Sequence, residues 1–117
     1  MNNLLLFDVG TGILIIIIIA IPMVFQKIKP NYFYGFRTKK TLSDEKIWYP
    51  ANKYSGKTLI YAGVVMTIVS FVLYLLTTIP QYANIFNKTI IIILTIIILS
   101  VPLIVSIIAS FIYLKKL

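Results

Sequence analysis

The sequence predicts an all-α membrane protein with three transmembrane helices. A structured cytoplasmic loop that can hold a short interfacial helix is predicted between the first and the second. Of the 117 residues, 60% are hydrophobic and only 14 are charged, 11 Lys or Arg and 3 Asp or Glu. The hydrophobic residues form three long runs, at about 4–25, 58–79 and 90–114. Because a helix rises about 1.5 Å per residue, about 20 residues cross a hydrocarbon core of roughly 30 Å. Runs of this length in lipid favour helices, which satisfy their own backbone hydrogen bonds.

The first hydrophobic run is predicted to be a retained span and not a cleaved signal peptide. No basic residue precedes it, and no small-x-small cleavage motif follows Phe25; Lys27 and Lys29 come next instead. With all three runs retained, residues 1–117 are expected to form a single membrane domain, in which the loop at 27–57 is the main polar segment.

Basic residues predict the orientation of the chain. The loop at 27–57 contains eight Lys or Arg residues and the C-terminus ends with Lys115 and Lys116, whereas the link between the second and third spans contains only Lys88. The positive-inside rule therefore predicts an external N-terminus, with the loop and the C-terminus in the cytoplasm. Topology and anionic lipid account for the net charge of +8. The bilayer is thus the expected partner, and nucleic acid is not.

The residue inventory excludes much chemistry. The chain has no cysteine and no histidine, which removes thiolate and imidazole metal sites and every nucleophile–His pair. The only carboxylates are Asp8, Asp44 and Glu45, and they fall in two different regions. We therefore expect no cofactor, no metal site and no enzymatic activity.

Small and polar residues within the spans predict faces for helix packing. One such face is in the second span and comprises Gly63, Thr67, Ser70 and Tyr74; a similar stripe in the third comprises Pro102, Ser106 and Ser110. Such faces let helix backbones approach and hydrogen-bond in lipid. Internal packing of three helices is favoured over a substrate path. Pro22 and Pro102 are expected to bend their helices or to leave carbonyls for a polar neighbour.

Asp8 is the only acid near a membrane span. A carboxylate buried in lipid is a functional candidate by default. Asp8 nevertheless lies near the outer end of the first span, beside Gly10 and Gly12. The favoured expectation is that its side chain reaches water there.

The loop at 27–57 is unlike a simple connector, because it is long and rich in aromatic residues. Its seven aromatics are Tyr32, Phe33, Tyr34, Phe36, Trp48, Tyr49 and Tyr54. Tyr and Trp favour the membrane interface, where the ring is partly buried and the polar tip is wet. Pro30 ends the first helix, and Gly35 marks a turn that needs a positive φ. The loop is therefore expected to be folded and to lie at the interface.

A helix is predicted within the loop, from about Ser43 to Tyr54. Thr41 is the expected N-cap, with Ser43 as a competitor. The helix either continues into the second span or divides at Pro50 into a turn and a second helix. In both versions Trp48, Asn52 and Ser55 share a face.

Arg37 is the only arginine of the chain. A guanidinium offers a planar fork of five donors that lysine cannot supply. Its expected partners are backbone carbonyls at the ends of the spans, Asn52, Asp44 or Glu45, or a lipid phosphate. The alternative is a surface arginine that only contributes to topology.

The loop residues resemble a known pattern. The segment reads N-x-x-Y-G-x-R-T-x-x-T-L and then W-x-x-A-N-x-x-x-G. The site residues that carry the match are Asn31, Tyr34, Gly35, Arg37, Thr38, Thr41, Trp48, Asn52 and Gly56, joined by Leu42 and Ala51. This pattern is similar to that of the SdpI family, bacterial multi-pass membrane proteins typified by the immunity protein against the sporulation-delaying toxin. The match covers roughly a quarter of the chain.

The resemblance implies a helical domain in the bacterial cytoplasmic membrane that resists a membrane-active peptide toxin by binding or shielding, without catalysis. The typifying protein is longer, with additional spans before the matching module, so its relay of the toxin's presence to a regulator is not carried over. Two alternatives stay open. The basic loop can be a scaffold that sequesters a soluble regulator, or the chain can form a small transporter or an oligomeric pore component. A homo-oligomer would use the face at 63–74. The motif residues either bind a ligand or only stabilise the loop.

Overall fold

The computed structural model describes residues 3–117, and within them all regular secondary structure is helical. Three helices are long and apolar enough to cross a membrane: α1 (Asn3–Phe25), α3 (Glu45–Thr77) and α4 (Lys88–Leu114). A short helix, α2 (Lys39–Ser43), precedes α3, and a single 3₁₀ turn, Pro80–Tyr82, lies between α3 and α4. The predicted all-α class with three spanning helices is therefore confirmed, and the chain is a multi-pass membrane protein.

The helix α1 contains a wide turn. Residues Ile15–Ala20 follow π-helical hydrogen bonding, in which the N–H of Ile21 donates to the carbonyl of Ile16, five residues earlier. Pro22 lies two residues after Ala20, the last residue of this stretch, and has no N–H to donate to the preceding turn. The helix therefore carries an irregular backbone in its second half, as the proline predicts.

The helix α3 begins earlier than the hydrophobic run that predicted it. It starts at Glu45, where the Asp44 carboxylate accepts a hydrogen bond from the N–H of Lys46 at 2.9 Å, and it continues to Thr77. Pro50 lies inside this one helix, so the version with a break at Pro50 is wrong and the version that continues into the second span is correct. The segment at 45–57 is thus helix, and the irregular part of the loop comprises residues 26–38 and Asp44 between α2 and α3.

The helix predicted from about Ser43 to Tyr54 is the first part of α3, and its N-cap is Asp44. The N-cap predictions at Thr41 and Ser43 are therefore wrong. The short helix α2 before α3 was not predicted. Thr38 caps α2: its Oγ1 accepts from the N–H of Thr41 at 3.0 Å, and Thr41 Oγ1 accepts from the N–H of Thr38 at 2.7 Å. A capping box normally places Glu or Gln at the third helical position, and in α2 Thr41 takes that position.

The helices α1 and α3 are antiparallel and approach closely through glycine. A Cβ on Gly12 would lie 2.7 Å from the carbonyl oxygen of Gly63, and one on Gly56 would lie 2.8 Å from Met23 Cβ. The hydroxyl of Thr67, on the predicted packing face, is 3.5 Å from the carbonyl of Val9. Close backbone approach of this kind is how helices associate in lipid, where the hydrophobic effect between them is absent.

We call the end of the bundle that carries residues 26–43 the loop end, and the opposite end, where α1 starts, the far end. The far half contains a buried apolar cluster of Leu5, Met66, Ile91 and Ile98. Most other large aliphatic residues of the three helices face outward and are exposed. This distribution is that of a small bundle whose outer surface is covered by lipid.

Asp8 does not reach water, contrary to the sequence expectation. Its side chain is completely buried in the bundle, and neither carboxylate oxygen has a hydrogen-bond partner among the described residues. The expectation failed because it considered only depth along α1. The direction of the side chain is set by the packing of Gly12, one turn later, against α3.

Candidate functional site at the loop end

The irregular segment at 26–38 folds against all three long helices, and its first turn is organised by Asn31. The Asn31 Oδ1 accepts from the N–H groups of Phe33 at 2.9 Å and Tyr34 at 2.8 Å, while its Nδ2 donates to the carbonyl of Lys29 at 2.8 Å. An asparagine side chain that bonds backbone groups two and three residues on forms an Asx-type turn. Asn31 therefore acts on its own loop and shapes the segment that presents Tyr34.

Tyr34 connects the loop to the irregular part of α1. Its hydroxyl donates to the carbonyl of Ile19 and lies 3.4 Å from that of Ile18. Both carbonyls lie just before Pro22, where a backbone donor is missing. The tyrosine is thus the polar neighbour that Pro22 was expected to require. Burial raises the pKa of the Tyr34 phenol above its usual value.

Gly35, Trp48 and Asn52 form the centre of the site. Gly35 has φ of +108°, and a Cβ there would lie 2.5 Å from Asn52 Oδ1 and 3.2 Å from the Trp48 ring. The glycine is therefore required twice, for its backbone conformation and for its contact with α3.

The Asn52 side chain hydrogen-bonds both the N–H and the carbonyl of Phe36, the loop residue after Gly35. Its Oδ1 accepts from the N–H of Phe36 at 2.6 Å, and its Nδ2 donates to the carbonyl of Phe36 at 3.3 Å and to that of Trp48 at 3.0 Å. The buried Trp48 donates its indole N–H to the carbonyl of Ile28 at 2.9 Å. Both side chains satisfy backbone groups that the irregular loop would otherwise leave without partners.

The loop also reaches α4. The Phe36 ring meets that of Phe111 edge to face, with centroids 5.2 Å apart. Lys40 Nζ donates to the carbonyl of Leu114 at 2.9 Å, where a cation also complements the C-terminal end of the helix dipole. Neither Phe36 nor Lys40 was predicted as a site residue. Only the tertiary contact with α4 reveals their role.

Hydroxyl groups join α3 to α4 beneath this layer. Thr58 Oγ1 lies 2.7 Å from Ser106 Oγ, and Ser110 Oγ donates to Ser55 Oγ at 3.1 Å. The stripe predicted on the third span therefore contacts α3. Its partners on α3 were not predicted, because Ser55 precedes the predicted second span and Thr58 is the first residue of that span.

Arg37 differs from the other motif residues because it is exposed. Its Nη1 donates to the carbonyl of Tyr32, and among the described residues its guanidinium makes no ion pair with Asp44 or Glu45. Tyr32 and Phe33 beside it are 76% and 91% exposed. These three side chains, Tyr32, Phe33 and Arg37, form what we call the exposed tip of the loop.

The structure therefore separates the nine predicted site residues into two groups. Eight of them make contacts that shape the loop or the α1–α3 approach: Asn31, Tyr34, Gly35, Thr38, Thr41, Trp48, Asn52 and Gly56. Arg37 presents most of its donors outward. A cleft of about 220 Å³ lies between the end of α1 and α3, with Trp48 and Tyr34 in its wall and Lys27 and Lys53 at its rim.

The loop end has no cluster of carboxylates in the part of the chain that the structure describes. No group of three or more Asp, Glu, His or Cys residues there could hold a metal ion. What the geometry provides is a folded polar cap on one end of a hydrophobic three-helix bundle, with an exposed cationic and aromatic tip.

Comparison with known proteins agrees with this class of small multi-pass membrane protein with a folded polar loop. The model of the SdpI/YfhL protein family matches residues 27–110. The chain belongs to that family.

Two relatives come from Bacillus subtilis strain 168. The immunity protein SdpI is 30% identical over 109 residues, which are 93% of this chain and 45% of that protein. The uncharacterized protein YfhL is 40% identical over 58 residues, which are 50% of this chain and 52% of that protein. The chain thus spans about half the length of these curated relatives. No solved structure gives a significant match.

Proposed function

We propose that this protein protects the cell that makes it from a membrane-active peptide toxin, by binding the toxin or shielding its target and without catalysis. The observation that carries the proposal is the 30% identity to the immunity protein SdpI across 93% of the chain. An activity that needs no nucleophile or metal also agrees with a residue inventory that lacks cysteine and histidine.

The exposed tip of the loop is the surface proposed for contact with the toxin or its target. Arg37 donates one N–H to the carbonyl of Tyr32, and the other N–H groups of its guanidinium are available to a ligand. The adjacent side chains of Tyr32 and Phe33 are largely exposed. A rigid backbone held by Asn31 and Asn52 would present these side chains in one arrangement, which lowers the entropic cost of binding.

The proposal is tested by expressing the chain in a sensitive bacterium and challenging the cells with the sporulation-delaying toxin and with small secreted peptides encoded beside the gene. Wild-type protein should raise survival. Arg37→Ala should reduce it at an unchanged protein level, and Arg37→Lys should restore it only in part. Lys39→Ala, which removes a neighbouring exposed cation, is the matched control. Absence of protection against every peptide would refute immunity, and protection that survives Arg37→Ala and a Tyr32→Ala/Phe33→Ala double substitution would refute the role of the tip.

A second function has support from the same surface. The exposed cations and aromatics of the loop suit a scaffold that holds a soluble regulator at the membrane. Crosslinking in cells should then recover a cytosolic protein with the wild type and not with Arg37→Ala. Recovery of no such protein, together with protection in the survival assay, would leave immunity as the function.

The proposed orientation places the loop end in the cytoplasm and the far end outside, as the basic residues predict. The lack of native cysteine makes this directly measurable, because single cysteines can be introduced without background. Asn84→Cys should react with an impermeant maleimide on intact cells, and Ser43→Cys only after permeabilisation. The reverse pattern would invert the topology and would move the exposed tip to the outer surface.

A further inference from the structure

We propose that the far half of the bundle contains a binding site for a monovalent alkali cation, formed by the Asp8 carboxylate with the hydroxyls of Ser70 and Thr95. These three residues come from α1, α3 and α4, and they are 0%, 0% and 7% exposed. The carboxylate oxygens and both hydroxyls are buried without a hydrogen-bond partner among the described residues. The site is independent of the proposed immunity function.

The register of α1 against α3 puts Asp8 at the level of Ser70. In antiparallel helices a step forward along one helix corresponds to a step back along the other. Gly12 faces Gly63 and Thr67, through approaches of 2.7 Å or less to an added Cβ. One turn from Gly12 toward the far end is Asp8, and one turn from Thr67 in the same direction is Ser70.

The register of α3 against α4 puts Ser70 at the level of Thr95. Thr58 bonds Ser106, and Ser55 bonds Ser110, so these helices are also antiparallel and their pairing is known at the loop end. Twelve residues from Thr58 along α3, toward the far end, is Ser70. Eleven residues from Ser106 along α4, in the same direction, is Thr95.

The buried apolar cluster supports the same placement by an independent route. Leu5, Met66, Ile91 and Ile98 pack together in the interior. Each polar residue lies three or four positions from one of them and so shares its helix face: Asp8 with Leu5, Ser70 with Met66, and Thr95 with both Ile91 and Ile98. All three polar side chains therefore face one interior.

Charge identifies the class of ligand. A carboxylate and two hydroxyls form an oxygen-only donor set, which suits a hard cation. The site has one negative charge, and in the low dielectric of a membrane interior a monovalent cation would neutralise it, whereas a divalent ion would leave it charged. Within the described residues 3–117, the Lys or Arg nearest in sequence to these three is Lys88, which is exposed and seven residues before Thr95.

Cation binding is tested by thermal unfolding of the purified full chain in lipid nanodiscs, in sodium chloride, potassium chloride or N-methyl-D-glucamine chloride at equal ionic strength. A ligand that binds only the folded state raises the midpoint with its concentration. We expect sodium or potassium to raise it to saturation and N-methyl-D-glucamine to leave it unchanged. Asp8→Asn should abolish the response, and Ser70→Ala and Thr95→Val should each weaken the apparent affinity roughly tenfold.

Asp44→Asn is the matched control, because it neutralises an exposed carboxylate at an N-cap that asparagine also serves well. A midpoint that is equal in all three salts would overturn the proposal and would indicate an Asp8 kept neutral by a proton. So would a cation response that persists in Asp8→Asn. If Asp8→Asn fails to fold, equilibrium binding of radioactive sodium and rubidium is measured on the wild type, Ser70→Ala and Thr95→Val. Binding that is absent, or that is equal in these three proteins, refutes the site.

Discussion

The two ends of the bundle differ in whether their buried polar side chains have hydrogen-bond partners. At the loop end, almost every polar side chain in the interior has a partner within the chain, from the amide of Asn52 to the hydroxyls of Ser55 and Ser110. At the far end, Asp8, Ser70 and Thr95 are equally buried and have none among the described residues. Interior polar groups with partners give stability and one defined structure, whereas groups without them are costly and call for a specific explanation.

The difference follows from what each end must accommodate. The loop end carries irregular backbone at 26–38, whose N–H and C=O groups need partners that a helix would provide internally. The motif side chains supply these partners. In the far half, Asp8, Ser70 and Thr95 lie within regular helix, where the neighbouring backbone groups already have partners. Structural roles therefore account for the motif at one end and do not account for the polar layer at the other.

The largest expected effect is on the centre of the loop end. Trp48→Ala removes a buried indole and the donor to the Ile28 carbonyl, and it should lower the free energy of unfolding by about 3–5 kcal/mol. Unfolding in mixed detergent micelles measures this. Tyr32→Ala, at an exposed ring of the same loop, should change it by less than about 0.5 kcal/mol. Equal effects of the two would show that the loop is not packed as described.

A smaller loss is expected from a single methyl group at Gly35. Gly35→Ala forces a side chain into φ of +108° and against Asn52, and it should cost about 1–3 kcal/mol of unfolding free energy. Gly10→Ala is the control, since a Cβ there meets nothing within 4 Å and alanine favours helix. It should leave the protein unchanged or slightly more stable. Destabilisation by Gly10→Ala alone would contradict the structure of α1.

Ser110 and Ser70 give the most direct comparison between the two ends, because both are buried but only Ser110 has a hydrogen-bond partner. Ser110→Ala leaves Ser55 without its hydrogen bond and should cost about 1 kcal/mol of unfolding free energy. Ser70→Ala removes a hydroxyl that has no partner, and in a buffer free of sodium and potassium it should be neutral or stabilising. A loss at Ser70 that matches the loss at Ser110 in this buffer would show that the far end is satisfied from within the protein.

An effect similar in size to that at Ser110, but dependent on pH, is expected from the hydroxyl of Tyr34. Because burial raises its pKa, the folded protein keeps this proton at a pH where the unfolded chain begins to lose it. The stability that the phenol contributes is therefore complete below about pH 10 and declines as the pH rises above it. Tyr34→Phe should cost about 0.5–1.5 kcal/mol at neutral pH, and its difference from the wild type should shrink in alkaline buffer. A difference that is independent of pH would contradict the predicted link between the phenol and α1.

Much of the loop end was predictable in its residues but not in its geometry. The motif pattern identified Trp48, Asn52 and Gly35, and helical spacing placed the first two on one face. Nothing in the spacing indicated that Asn52 holds the backbone of Phe36, because that contact joins residues sixteen positions apart through a turn of non-repeating shape. The N-cap was misplaced because Thr41, Ser43 and Asp44 each have a side-chain oxygen that can cap a helix, and only the backbone of α3 shows that the helix starts after Asp44.

The sequence by itself determined the class of this protein. Hydrophobic runs long enough to cross a bilayer leave helices as the structure that satisfies the backbone in lipid, and the family pattern needs no coordinates. Only the tertiary structure decided where the polar groups of the helices lie. Whether Asp8 meets water or the interior depends on how α1 is rotated against its neighbours. That rotation is set by contacts such as Gly12 on Gly63, between residues far apart in the chain.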